Sequence, residues 1–176
     1  MKSVLLVGQS NMAGRGYISE TKPIINERIW MLRNGRWQMM AEPIHFDRAV
    51  SGVGPAASFA EKWCIDNPKE QIGLIPCAEG GSSIDEWRID GTLFRHAVSE
   101  AKFALENSEL IAILWHQGEN DSSAGKYKEY YNISYQYIST VMKRIEERFT
   151  PEELAYIVKV MDIIETELMP EIDLKK

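Results

Sequence analysis

Three short stretches concentrate the residues able to do chemistry: Gly8-Gln9-Ser10-Asn11, Glu79-Gly80-Gly81-Ser82-Ser83 and His116-Gln117-Gly118-Glu119-Asn120-Asp121. Each follows an apolar run. Ser10 is a candidate nucleophile, a role a serine fills only beside a base that takes its proton. Backbone N–H groups around it would point at whatever the hydroxyl attacks, and Gly8, Ala13 and Gly14 leave room for a substrate. The plainer alternative is a turn serine that caps the segment after it. Gly80 and Gly81 can expose backbone N–H groups to an oxyanion without side-chain obstruction, although paired glycines also make ordinary turns. Gln117 has a side-chain amide of the kind that stabilises oxyanions. Glu119, Asn120 and Asp121 would orient that loop, or form an Asn- and Asp-rich surface turn. Trp87, a few residues past the paired glycines, is a candidate pocket floor.

The elements that must position these loops can be read from hydropathy and turn residues. Residues 3–8, 71–78 and 109–118 each read as a buried strand running into one of the three loops. Asn34-Gly35 between apolar flanks predicts a hairpin over 27–40. Helices are predicted over 54–66, with Pro55 early, over 92–106 and over 128–149. Strands alternating with helices imply a mostly parallel sheet covered on both faces. Ligands in such sheets bind outside the carboxyl ends of the strands, where the three loops would meet.

The chain has 176 residues, room for one domain with a substantial core, and no internal repeat or linker. A net charge of −6 without any long basic run argues against a nucleic-acid surface. The apolar start of MKSVLLVG is shorter than a signal-peptide core, and no run approaches a membrane span. The expectation is therefore a soluble cytoplasmic protein without membrane or nucleic-acid partners. Cys64 and Cys77 form neither a disulfide framework nor a metal motif, so buried thiols are expected. A flavodoxin-like nucleotide binder is disfavoured, because no GxGxxG or GxxxxGK[ST] loop follows the first strand.

GQSNMAG (8–14), CAEGGSSIDEW (77–87) and WHQGEND (115–121) together resemble successive blocks of the SGNH-hydrolase superfamily, in its sialate O-acetylesterase-like and acetylxylan-esterase-like carbohydrate-esterase branch. PIHFDRAVSGVGPAASFA (43–60) is similar to that family's segment between its first and second blocks, and the resemblance covers about residues 3–149. It implies a three-layer α/β/α sandwich on a five-stranded parallel sheet, here one domain over 1–176. Ser10 would form an acetyl-enzyme. Its own N–H, an N–H of Gly80 or Gly81, and the Gln117 amide would make the oxyanion hole. Gln9, Asn11, His116 and Glu119 would support the site. The substrate would be an acetylated carbohydrate or small acetyl ester, with no metal and no organic cofactor.

The family carries its base in a late Asp-x-x-His motif. No DxxH occurs in this chain, whose histidines are His45, His96 and His116. His116 shares the sheet edge with Ser10. His45 lies on a loop that could approach the site and is counted, with Trp87, as a pocket residue. His96 falls inside a predicted helix. Residues 150–176 read as a helix in place of the family's last strand and loop, with Thr150 as cap, Pro151 in its first turn and an apolar stripe that could drive self-association. Three explanations stand side by side: a truncated or frame-shifted esterase, a carbohydrate-binding relative without chemistry, or a base from a second chain.

Overall fold

The computed structural model describes residues 1–89 and 91–121. Five strands are present among them: β1 (Lys2–Gly8), β2 (Ile29–Arg33), β3 (Arg36–Met39), β4 (Ile72–Pro76) and β5 (Glu109–His116). The helices are a four-residue α1 (Ser10–Ala13), α2 (Pro55–Asp66) and α3 (Thr92–Ala104), with short 3-10 turns at Ile18–Glu20 and Ile84–Trp87. The strand order is β3-β2-β4-β1-β5. β1 runs parallel to β4 and β5, and β4 parallel to β2.

The sheet is mostly parallel, as expected, but not wholly so. Among the described strands β3 is antiparallel to β2. The reason is local. Asn34 and Gly35 both take positive φ, 52° and 69°, the two-residue hairpin turn whose twist matches the strands it joins. The chain therefore returns along its own strand instead of crossing over to a parallel one.

β1 lies between β4 and β5, which explains its unbroken apolar sequence. Val4, Leu5, Leu6 and Val7 are all fully buried. Each contributes about 1.5–3 kcal/mol relative to an exposed side chain. Successive residues face opposite layers. Val4 and Leu6 join Leu74, Met31 and the small face of α2 (Ala56, Ala57, Ala60, Cys64) in one core cluster. Leu5, Val7 and Ile75 point to the other face of the sheet, where α3 crosses β1 and β4 with Phe94, Ala97, Val98 and Ala101 buried. Cys64 and Cys77 are buried free thiols.

Every described residue lies in one compact unit. The predicted helix over 128–149 and the tail over 150–176, with its proposed role in self-association, lie outside the described residues. No helix among the described residues is long and apolar enough to cross a membrane.

Candidate active site

The carboxyl ends of β4, β1 and β5 are neighbours, and backbone hydrogen bonds continue past the strands to bind their loops together. Cys77 N–H donates to Leu6 O, Glu79 N–H to Gly8 O and Gln9 N–H to His116 O, each at 2.9 Å. The close approach depends on Gly8, which has φ +132° and whose hypothetical Cβ would stand 2.0 Å from His116 O. Gln9, buried and extended, occupies the N-cap position of α1 without a side-chain cap. Its carbonyl accepts from Met12 and Ala13 N–H, and α1 ends at Gly14, φ +95°, whose N–H returns to Ser10 O. Ser10 is thus the first residue of the turn rather than its cap. Its N–H and that of Asn11 stand at the open end, without partners inside the helix.

Side chains then join the loops in pairs. The Asn11 amide donates to Glu119 Oε1, and His116 Nε2 lies 3.2 Å from the same oxygen. Gln117 Nε2 donates to Ser82 O at 3.1 Å and to Asp121 Oδ2 at 2.6 Å. Asp121 Oδ2 also accepts from Ile84 N–H at 2.9 Å. Asp121 is buried, so the surface-turn reading of this residue is corrected. Ser83 and Glu86 form a capping box on the following 3-10 turn.

A further network reaches in from the loop before α2. Asp47, its side chain 2% exposed, receives Arg15 Nη2 at 2.6 Å, Ser51 Oγ at 2.7 Å and Gly80 N–H at 2.7 Å. Burial alone would raise the Asp47 pKa. The Arg15 and Ser51 side chains and the Gly80 N–H outweigh it and hold the carboxyl below its ordinary range.

The family model of carbohydrate esterases described as sialic acid-specific acetylesterases matches residues 1–172. The chain belongs to this carbohydrate-esterase family. A protein named as a probable carbohydrate esterase of Arabidopsis thaliana is 35% identical over 139 residues, 66% of this chain. The chain spans about half, 53%, of that relative's length. An X-ray structure of an Arabidopsis thaliana protein superposes with a TM-score of 0.73 at 30% identity, over 82% of this chain and 69% of that one. The crystal structure of NanS has a TM-score of 0.68 at 18% identity, over 82% of this chain and 62% of its own, a likeness of fold.

Within this carbohydrate-esterase frame several expected roles change. Trp87 is 0% exposed, edge-on to Trp115 at 5.5 Å, and donates its Nε1 to Ser82 Oγ at 2.9 Å. It belongs to the core and not to a pocket floor, because its ring is fully buried and its polar edge is turned to Ser82. The Gln117 amide donates to Ser82 O and to Asp121 Oδ2, which ties the third loop to the second. The Gly80 N–H is committed to Asp47. Gly81 N–H makes no hydrogen bond among the described residues, and a Cβ at Gly81 would meet nothing within 4 Å. His96 lies on α3, as predicted.

His45 is buried beneath the first loop. Its ring faces the Leu6 and Ala13 carbonyls, yet neither nitrogen reaches hydrogen-bond geometry. Burial lowers its pKa to about 4, with the Asp47 carboxylate opposing the shift. A histidine held neutral in this way is a poor base near pH 7. It lines a cavity of about 730 Å³ with Phe46, Asp47, Cys77, Glu79 and His96, but neither Ser10 nor Gly81 lines it.

This burial has a pH signature. The unfolded chain takes up a proton as pH falls through 6.5, the ordinary histidine value, whereas the folded chain does so only near 4. Stability is therefore lost as pH drops across that window, by about 2 kcal/mol between pH 7 and pH 5. Glu42, whose pKa burial raises, acts in the opposite direction, so the comparison is made against His45→Leu. Urea melts at the two pH values should show the variant losing about 2 kcal/mol less than wild type. Parallel profiles would refute the assignment.

Sequence reasoning did not single out Arg15, Asp47, Arg48 or Ser51. Their signal was present in GRG directly after GQSNMA and in FDR: opposite charges inside two segments already tied to the site.

Proposed function

We propose that this chain removes O-acetyl groups from carbohydrates, with Ser10 as the nucleophile. Ser10 Oγ attacks the acetyl carbonyl, and the resulting oxyanion rests on the N–H groups of Ser10 and Gly81. The C–O bond to the sugar then breaks, the sugar oxygen takes a proton, and water cleaves the acetyl-enzyme to acetate. Among the three histidines we assign the base role to His116, which is exposed at the sheet edge and faces Glu119. The observation that carries the reading is the position of Ser10. It opens a short turn at the meeting point of three strand ends, with its hydroxyl uninvolved in capping. No step requires a metal or an organic cofactor.

The test is p-nitrophenyl acetate hydrolysis against pH for wild type, Ser10→Ala and His116→Ala. Ser10→Ala is expected to lose on the order of 10³-fold or more in kcat/KM. His116→Ala is expected to lose about 10²–10⁴-fold in kcat/KM. Survival of activity in His116→Ala with a histidine-like pKa retained would move the base elsewhere. A wild type no faster than Ser10→Ala would leave carbohydrate binding without turnover as the reading.

A further inference from the structure

We propose that Arg48 and Asp47 are positioning residues that aim the Gly81 N–H at the reacting carbonyl by clamping the Gly80 peptide from both ends. This rests on the Ser10 reading above and adds two residues to it. Asp47 Oδ2 accepts Gly80 N–H at 2.7 Å, which fixes the peptide entering Gly80. Arg48 Nη2 donates to Gly80 O at 3.0 Å, which fixes the peptide leaving it. That second peptide is planar and trans, so its carbonyl and the N–H of Gly81 point in opposite directions. Holding Gly80 O toward Arg48 therefore sets where Gly81 N–H points.

The surroundings favour a built device over a chance contact. A Cβ at Gly80 would stand 2.0 Å from Arg15 Nη2 and 2.6 Å from Asp47 Oδ2, so the ion pair leaves no room for a side chain there. Arg48 Nη2 also meets Glu79 Oε1 at 2.7 Å, which holds the guanidinium beside the turn. Ser51 Oγ lies 2.7 Å from both Asp47 Oδ1 and Arg48 O, linking the two clamping residues. On the far side, Asn120 Nδ2 donates to Gly81 O at 3.2 Å. Gly80 N–H, Gly80 O and Gly81 O are thus all held, and Gly81 N–H is the group of this turn left for a ligand. Oxyanion donors act through such preorganisation, since a donor already aimed needs no reorganisation as charge develops.

Arg48→Ala tests this, because the Arg48 side chain is 56% exposed and its loss should leave the fold intact, as a thermal melt would verify. Two readouts are taken. In amide spectra of ¹⁵N-labelled protein, the Gly81 cross-peak should shift or broaden in Arg48→Ala. The rate at which a serine-directed phosphonate labels Ser10 should fall about tenfold, since the tetrahedral adduct uses the same donor. For p-nitrophenyl acetate the loss should appear in kcat with KM little changed, a split that a general loosening would not give. An unmoved Gly81 peak, or labelling at the wild-type rate, overturns the proposal. If wild type itself is not labelled, the nucleophile reading fails separately, and the Gly81 peak alone decides the clamp.

Discussion

Asp47→Ala is expected to remove about 3–5 kcal/mol of unfolding free energy, the range for taking one partner from a buried ion pair. The carboxylate is nearly inaccessible and satisfies three donors on three separate segments: Arg15 after α1, Ser51 before α2, and the Gly80 N–H after β4. Deleting it leaves the Arg15 guanidinium, one-quarter exposed, without its counter-charge and orphans a backbone N–H at the turn. Asp47→Asn keeps an acceptor for Gly80 and should fall between Asp47→Ala and wild type. Because the folded Asp47 pKa is depressed, its stabilisation is present above the ordinary carboxylate range and is lost as pH falls through the folded value. Urea melts at pH 7 and near pH 3 should show the Asp47→Asn deficit shrinking at the acid end. Variants as stable as wild type at pH 7 would mean the network is ornamental.

The second large effect belongs to Gly8. An alanine there faces two independent penalties: a backbone at φ +132° that L side chains rarely adopt, and a Cβ 2.0 Å from the His116 carbonyl carbon's oxygen. Strain of about 1–3 kcal/mol and overpacking of about 1–3 kcal/mol put Gly8→Ala at roughly 2–6 kcal/mol. Gly81→Ala is the control. It too has positive φ, +80°, but its Cβ would meet nothing within 4 Å, so about 1–2 kcal/mol is expected. Equal losses in denaturant melts would show that the approach of β1 to His116 does not limit the position.

The same contrast explains what the sequence made legible. β1, β4 and β5 could be read because central parallel strands are buried on both faces, and that leaves unbroken runs such as Val4–Val7. The β2–β3 turn could be read because Asn-Gly encodes two positive φ angles. Pro55 marked the start of α2. Each of these features is local, and the meeting of the three loops followed from topology. What stayed hidden was long-range pairing. Arg15 and Asp47 are 32 positions apart, and Asp47 and Gly80 33. No spacing rule links such residues. Trp87 was misplaced because a tryptophan just past a glycine turn reads as a pocket floor; the Ser82 hydroxyl and the edge of Trp115 make it core. Asp121 hid for a related reason, because an Asn- and Asp-rich stretch reads as a surface turn until its carboxylate proves buried against the Gln117 amide.

Ser10 is proposed as the nucleophile of this carbohydrate-esterase family member. That assignment is tested most directly by incubating the whole chain with a serine-directed phosphonate, then measuring intact mass and mapping peptides. One adduct per chain, on the peptide carrying Ser10 and lost in Ser10→Ala, is the predicted result. No adduct, or an adduct that persists in Ser10→Ala, would contradict the claim.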